Sequence, residues 1–194
     1  MLSAPINMKK RLPAFGRGFT LVELLVTIAI IGILTSVGLG TFTSAQRKSR
    51  DARRKNDLAA IAKALEVYYN DHSRYPADDT NQIKGCNTLA DPTETACAWG
   101  AIFQHADTNP DTVYLIALPQ DPSTGQNYYY DAISANKAYQ LYSRLENTAD
   151  PAVPKDGDTP QVYSGTVCAT DTACNYGISS PNTTPATGHA LTAE

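Results

Sequence analysis

Apolar positions crowd into one stretch of the 194-residue chain, the run FTLVELLVTIAIIGILTSVGLG at residues 19–40, which is 22 residues long and holds a single ionisable group, Glu23. At about 1.5 Å per residue such a helix reaches roughly 33 Å, against a hydrocarbon thickness of about 30 Å. A core helix of this length in a soluble protein would show a polar face. The pattern therefore predicts a membrane-spanning helix. From residue 41 the period changes: Leu58, Ile61, Leu65 and Tyr68 fall at spacings of 3, 4 and 3, with Ala62 and Tyr69 beside them, on one face of a 3.6-residue helix. Asn70-Asp71-His72-Ser73 and then Pro76 are stop signals. One helix is thus expected over about residues 19–69. Its amphipathic half belongs to a segment 41–71, and Gly32, Gly38 and Gly40 are points where it could bend or melt.

Beyond residue 72 the chain is polar, rich in Tyr, and punctuated by Pro, Asn, Asp and Gly. The clearest pair of strands is 127–133 (NYYYDAI) and 138–145 (AYQLYSRL), joined by a four-residue loop at 134–137. In the second strand Tyr139, Leu141 and Leu145 share a face, expected to pack on Leu58, Ile61 and Leu65, with Gln140, Tyr142 and Arg144 opposite. Residues 161–167 add a further strand. The expected organisation is a leader at 1–18, an apolar helix at 19–40, an amphipathic helix at 41–71, a globular sheet domain at 72–178, and a disordered polar tail at 179–194. The fold class is α+β, with the amphipathic half of the helix on a small antiparallel sheet of three or four strands.

Charge sharpens this division. The net charge of −3 hides ten basic residues and two acids up to Lys55, against six basic residues and seventeen acids after it. Residues 1–18 carry Lys9, Lys10, Arg11 and Arg17 and no acid, as the charged region of a secretory signal would. No A-x-A cleavage site follows the apolar run, so the run is expected to be kept. Glu23 stands out, because a carboxylate in a membrane helix costs on the order of 2.5–3.5 kcal/mol.

Gly18-Phe19-Thr20-Leu21-Val22-Glu23, within RGFTLVELLVTIAIIGIL, resembles the class III signal of type IV prepilins and type II secretion pseudopilins. The resemblance implies a pilin fold, cleavage after Gly18 by a membrane-embedded prepilin peptidase, and N-methylation of Phe19. It also implies an assembly role for Glu23, which would neutralise the buried amino terminus of a neighbouring subunit so that two costly charges become one pair. The alternative for Glu23 is an acid near a helix start, snorkelling to the interface and complementing the macrodipole. The turn LPQDPSTG at residues 118–125 is similar to the LP-x-DP-x-x-G entry into the sheet of pseudopilins and related pilins.

The basic cluster Arg47, Lys48, Arg50, Arg53, Arg54 and Lys55 is assigned to lipid head groups or neighbouring subunits. Nucleic acid is not an expected partner, since no aromatic residues are interleaved for base stacking. Six positive charges after the span against four before it oppose the positive-inside rule. The resemblance nevertheless implies a leader facing the cytoplasm, as the peptidase requires, and a C-terminal domain outside. Cys86, Cys97, Cys168 and Cys174 all follow the span, lack C-x-x-C spacing, and accompany only scattered histidines, which argues against zinc and for disulfides. Of three possible connectivities the local pairs, Cys86 with Cys97 and Cys168 with Cys174, are favoured, each worth about 2–3 kcal/mol by loop closure. The second pair is similar to the C-terminal disulfide loop of many type IV pilins.

No P-loop, G-x-S-x-G elbow, H-E-x-x-H helix or dinucleotide fingerprint is present, and no enzymatic activity or catalytic residue is expected. Asp150, Asp156 and Asp158 offer oxygen ligands for calcium, which major pseudopilins bind near here, but the EF-hand spacing is missing and the family loop does not match residue by residue. No cofactor is assigned; calcium is the one candidate. The resulting expectation is a structural subunit of a type IV pilus-like filament. It begins as a single-pass precursor in the inner membrane, in contact with lipid, and then polymerises with itself or other pilins on an assembly platform into a surface or periplasmic filament. The alternative is a pseudopilin of a type II secretion or DNA-uptake machine, and a distant one is a membrane-anchored enzyme or binding domain.

Overall fold

The computed structural model describes residues 18–86, 95–105 and 112–194, with the backbone alone at 37–41. The leader therefore lies outside the described residues up to residue 17. The chain divides into two units, residues 1–43 and 44–194. A single α-helix, α1 (Leu21–His72), contributes to both, and its helical backbone continues through Gly32, Gly38 and Gly40. In the first unit the apolar side chains described between Leu21 and Leu34 are all exposed. Among the described residues no helix is long and apolar enough to cross a membrane. The run 19–40 expected to do so includes residues described by backbone alone.

In the second unit the expected face of α1 is the floor of the core. Leu58, Ile61, Leu65 and Tyr68 are at most 2% exposed, and each such burial contributes about 1.5–3 kcal/mol. The helix ends where Ser73 turns left-handed (φ 55°) and its N–H bonds the Tyr69 carbonyl at 2.7 Å, closing the last turn.

The helix packs on the hairpin of β5 (Tyr129–Ile133) and β6 (Ala138–Ser143), whose register pairs Tyr130 with Leu141 and Ile133 with Ala138. Tyr130, Tyr139 and Leu141 join the helix face in one core cluster. Three successive non-glycine residues of the connecting loop, Ser134, Ala135 and Asn136, have positive φ. Bonds from Lys137 Nζ to the Ser73 carbonyl and from Tyr75 N–H to the Asn136 carbonyl hold that strained loop against the helix end.

The sheet is completed differently from expectation. Its third strand is β9 (Tyr176–Ser179), antiparallel to β6, whereas the predicted strand at 161–167 becomes β8 (Thr159–Tyr163) of another sheet, in the order β10-β8-β7, with β7 (Lys155–Asp156) and β10 (Leu191–Ala193). Two further two-stranded ladders pair β1 (Asp78–Asp79) with β2 (Gln82–Ile83) and β3 (Phe103–His105) with β4 (Thr112–Leu115).

The tail 179–194 is not disordered. It folds over the second face of β6, so that every residue of this strand is buried. Gln140 Nε2 donates to the carbonyls of Thr184 (2.6 Å) and Thr187 (2.8 Å), and Tyr142 Oη donates to that of Pro185 (2.6 Å). A Cβ at Gly177 would lie 2.7 Å from the Tyr142 ring and 2.9 Å from Pro185, so only glycine permits this approach. Composition misled here because the tail folds through its backbone carbonyls, which leave no hydrophobic pattern. Beneath it Tyr129, Tyr142, Tyr163, Cys168 and Cys174 form a second small core. Truncation after Ser179 exposes the buried faces of Gln140 and Tyr142 and is expected to lower stability by about 2–4 kcal/mol. A urea midpoint unchanged by the truncation would contradict the packed tail.

Candidate functional site

The N-terminal motif has a defined local geometry. Thr20 caps α1: its Oγ1 accepts the Glu23 N–H at 3.2 Å, while Glu23 Oε2 accepts the Thr20 N–H at 2.9 Å and the Thr20 hydroxyl at 2.7 Å. This is a capping box, T-x-x-E, which satisfies otherwise orphaned donors of the first turn. Glu23 is thereby held close to residue 19. Phe19 is 79% exposed, and a Cβ built on Gly18 meets nothing within 4 Å. Gly18, Phe19 and Thr20 are all exposed.

The base of the sheet domain is organised by a buried charge cluster that the sequence reading missed. Arg54 is fully buried, and its guanidinium uses all five N–H donors. Nε and one Nη bind Asp121 in a bidentate pair at 2.7 and 2.9 Å, and that same Nη reaches Ser123 Oγ at 2.8 Å. The other Nη donates to Asp51 at 2.8 Å and Glu146 at 2.9 Å. Asp51 also accepts the N–H groups of Glu146 and Asn147, and Arg50 Nε donates to Glu146 at 2.7 Å.

Three segments far apart in sequence meet there: the helix, the LPQDPSTG turn through Asp121, and the loop after β6 through Glu146. The hydrogen bond from Arg50, and then those from Arg54, hold the Glu146 carboxyl down to about 2, against the cost of burial. Desolvation opposes the charge on Arg54, but the bonds and field of Asp121 outweigh it and the guanidinium is held more firmly protonated than usual.

Four of the six basic residues assigned to lipid or neighbours are thus engaged within their own domain. Besides Arg50 and Arg54, Lys55 binds Asp150 at 2.6 Å and Arg53 lies 3.7 Å from Asp57. The signal available in the sequence was Asp51 three residues before Arg54, an i,i+3 pair on one helix face.

The remaining predicted site residues are placed as follows. Cys86 bonds Cys97 and Cys168 bonds Cys174. Asp150 is engaged by Lys55 and the Ala152 N–H, while Asp156 and Asp158 lie exposed around the β7–β8 turn. Among the described residues no group of three or more His, Cys, Asp or Glu could hold a metal ion.

Comparison with known families matches residues 16–39 to the prokaryotic N-terminal methylation motif and residues 41–158 to the type II secretion system (T2SS), protein G. The chain belongs to the type II secretion protein G family. Among its relatives is the type II secretion system core protein G of Pseudomonas aeruginosa, 33% identical over 142 residues, which cover 73% of this chain and 91% of that protein. The core protein G of Escherichia coli is 34% identical over 128 residues, or 66% and 79%. The type IV major pilin protein PilA of Myxococcus xanthus is 37% identical over 67 residues, but these cover only 34% and 30%. No solved structure matches.

The whole Arg54 cluster falls inside the protein G stretch. β8, β9, β10, the Cys168–Cys174 bridge and the covering tail all lie beyond residue 158.

Removing one partner of a buried ion pair typically costs about 3–5 kcal/mol, so Arg54→Met should destabilise the domain by that amount, whereas Arg53→Gln, on an exposed pair, should cost under about 1 kcal/mol. Urea titration of both variants compares them. Glu146 has a depressed folded-state pKa, so its stabilisation is present above pH 4.5 and is lost as pH falls towards about 2. Glu146→Gln should flatten that acid limb by about 1–3 kcal/mol after solvent screening; an unchanged limb would contradict the assignment.

Proposed function

We propose that this protein is a pseudopilin: a non-enzymatic filament subunit of a type II secretion machine, made as an inner-membrane precursor with its sheet domain outside. The observation that carries the reading is the conjunction, in one chain, of the methylation motif over residues 16–39 and the protein G match over 41–158. The exposed apolar surface between Leu21 and Leu34 supports it, because a surface of this kind requires lipid or other helices around it.

In this reading prepilin peptidase cuts after Gly18 and Phe19 becomes the methylated amino terminus. Residues 19–40 then span the inner membrane until they pass into a filament of this chain and related subunits, built on the secretion assembly platform. Glu23 neutralises the amino terminus of the neighbouring copy. The capping box favours that task by holding the carboxylate at the helix start, where the ammonium of a neighbouring amino terminus can share it with Thr20.

The pilus reading favoured by the sequence alone is supported by the Myxococcus xanthus match, which covers a third of each chain, and the secretion reading is the better supported of the two. Short periplasmic filaments fit the secretion role; long surface filaments containing this chain would restore the pilus role.

Co-expression with prepilin peptidase should remove 18 of the 194 residues and leave a methylated 176-residue product, read by intact mass. Glu23→Ala should be processed normally yet remain in the membrane without entering filaments. Normal filaments from that variant would refute the role given to Glu23, and an uncut wild-type chain would refute the precursor.

A further inference from the structure

Four of the six basic residues at 47–55 are engaged by carboxylates of their own domain, and the remaining two, Arg47 and Lys48, have no ion pair among the described residues. Both border a groove of about 210 Å³ between α1 and the loop after β6, whose other walls include Ser44, Asn147 and Thr148. The carboxylate in that lining, Glu146, is occupied by Arg50 and Arg54. What the groove offers a ligand is therefore a set of donors: a guanidinium, an ammonium, two hydroxyls and a side-chain amide. A larger cavity of about 510 Å³ shares Lys48, Asn147 and Ala149 with it and is bordered by Ala52, Pro151 and the Lys55–Asp150 ion pair, so the groove adjoins a second cavity of mixed polarity.

Resting on the reading that residues 19–40 lie in the membrane, we propose that this groove binds the phosphodiester of an anionic phospholipid head group while the subunit awaits assembly. Three features favour lipid over the carboxylates of a second copy. Arg47 and Lys48 come seven and eight residues after the apolar run, the juxtamembrane position where basic side chains meet head groups. Helical side chains lean towards the helix N-terminus, here towards the membrane. The cations Arg47 and Lys48, unpaired among the described residues, border a concavity, which fits a compact phosphate better than a flat carboxylate surface. The consequence is a retention device: a subunit leaving for the filament must give up this lipid along with the bilayer.

The test is native mass spectrometry of the full chain released from detergent micelles, titrated with phosphatidylglycerol, with phosphatidylcholine and, separately, with inorganic phosphate. Phosphatidylglycerol should bind at least about tenfold more tightly than phosphatidylcholine. The Arg47→Gln/Lys48→Gln double variant should lose about tenfold or more of that affinity, on the scale of two juxtamembrane charges, while Arg53→Gln leaves it unchanged. Circular dichroism of both variants checks that the fold is intact. Equal binding of both lipids, equal loss in Arg53→Gln, or inorganic phosphate binding as tightly as phosphatidylglycerol would each overturn the proposal, the last by assigning the groove to a free anion. The underlying membrane reading is tested apart from this by carbonate extraction of cells. Release of the chain into the soluble fraction would remove that reading, whereas retention together with no lipid preference would remove only the groove.

Discussion

A fully buried guanidinium is tolerated only when every donor is matched, and the burial of Arg54 sets the terms for the sheet domain. Its five bonds end on the helix itself, on the LPQDPSTG turn and on the loop after the hairpin. None of these segments can move away without leaving a charge unpaired in a site that water does not reach. The core face of α1 places Leu58, Ile61, Ala64, Leu65 and Tyr68 in the main core, but apolar packing is tolerant of register. The bidentate pair to Asp121 is not, and it fixes where the turn meets the helix. With the helix secured there, the apolar side chains between Leu21 and Leu34 need not contribute to the domain's core. They are left exposed for other work.

Periodicity made the helix and the hairpin legible. Leu58, Ile61, Leu65 and Tyr68 mark a helix face because burial imposes a 3.6-residue repeat, and the alternation at 138–145 marks one face of β6 for the same reason. The other face of β6 was misjudged, since Gln140 and Tyr142 look like outward residues until the carbonyls of Thr184, Thr187 and Pro185 are brought to them. No pattern of side chains announces a partner made of backbone. The basic cluster failed differently: charges in sequence reveal their number but not their counterions, and Asp121, Glu146 and Asp150 lie 67 to 96 residues away. At the N-terminus the motif residues were visible one by one, while the reciprocal bonds of Thr20 and Glu23 became apparent only in the structure.

The part of the chain beyond residue 158 lies outside the protein G match. It contributes the third strand of the central sheet and the cover over its second face, and it carries a disulfide in a small aromatic core. A hairpin with one face on a helix and the other covered by a tail presents less apolar surface to neighbours. In the proposed filament this leaves the N-terminal helix and the polar exterior of the domain for contacts.

One helix thus serves two environments in the proposed subunit, pinned through Arg54 at its domain end and given over to other subunits along its apolar run. Electron cryo-microscopy of filaments formed by the mature chain tests this most directly. The predicted map has residues 19–40 packed at the filament axis, the sheet domain outside, and Arg54 bound to Asp121 of the same chain. Sheet domains packed at the axis, or Arg54 paired with a carboxylate of a neighbouring copy, would contradict it.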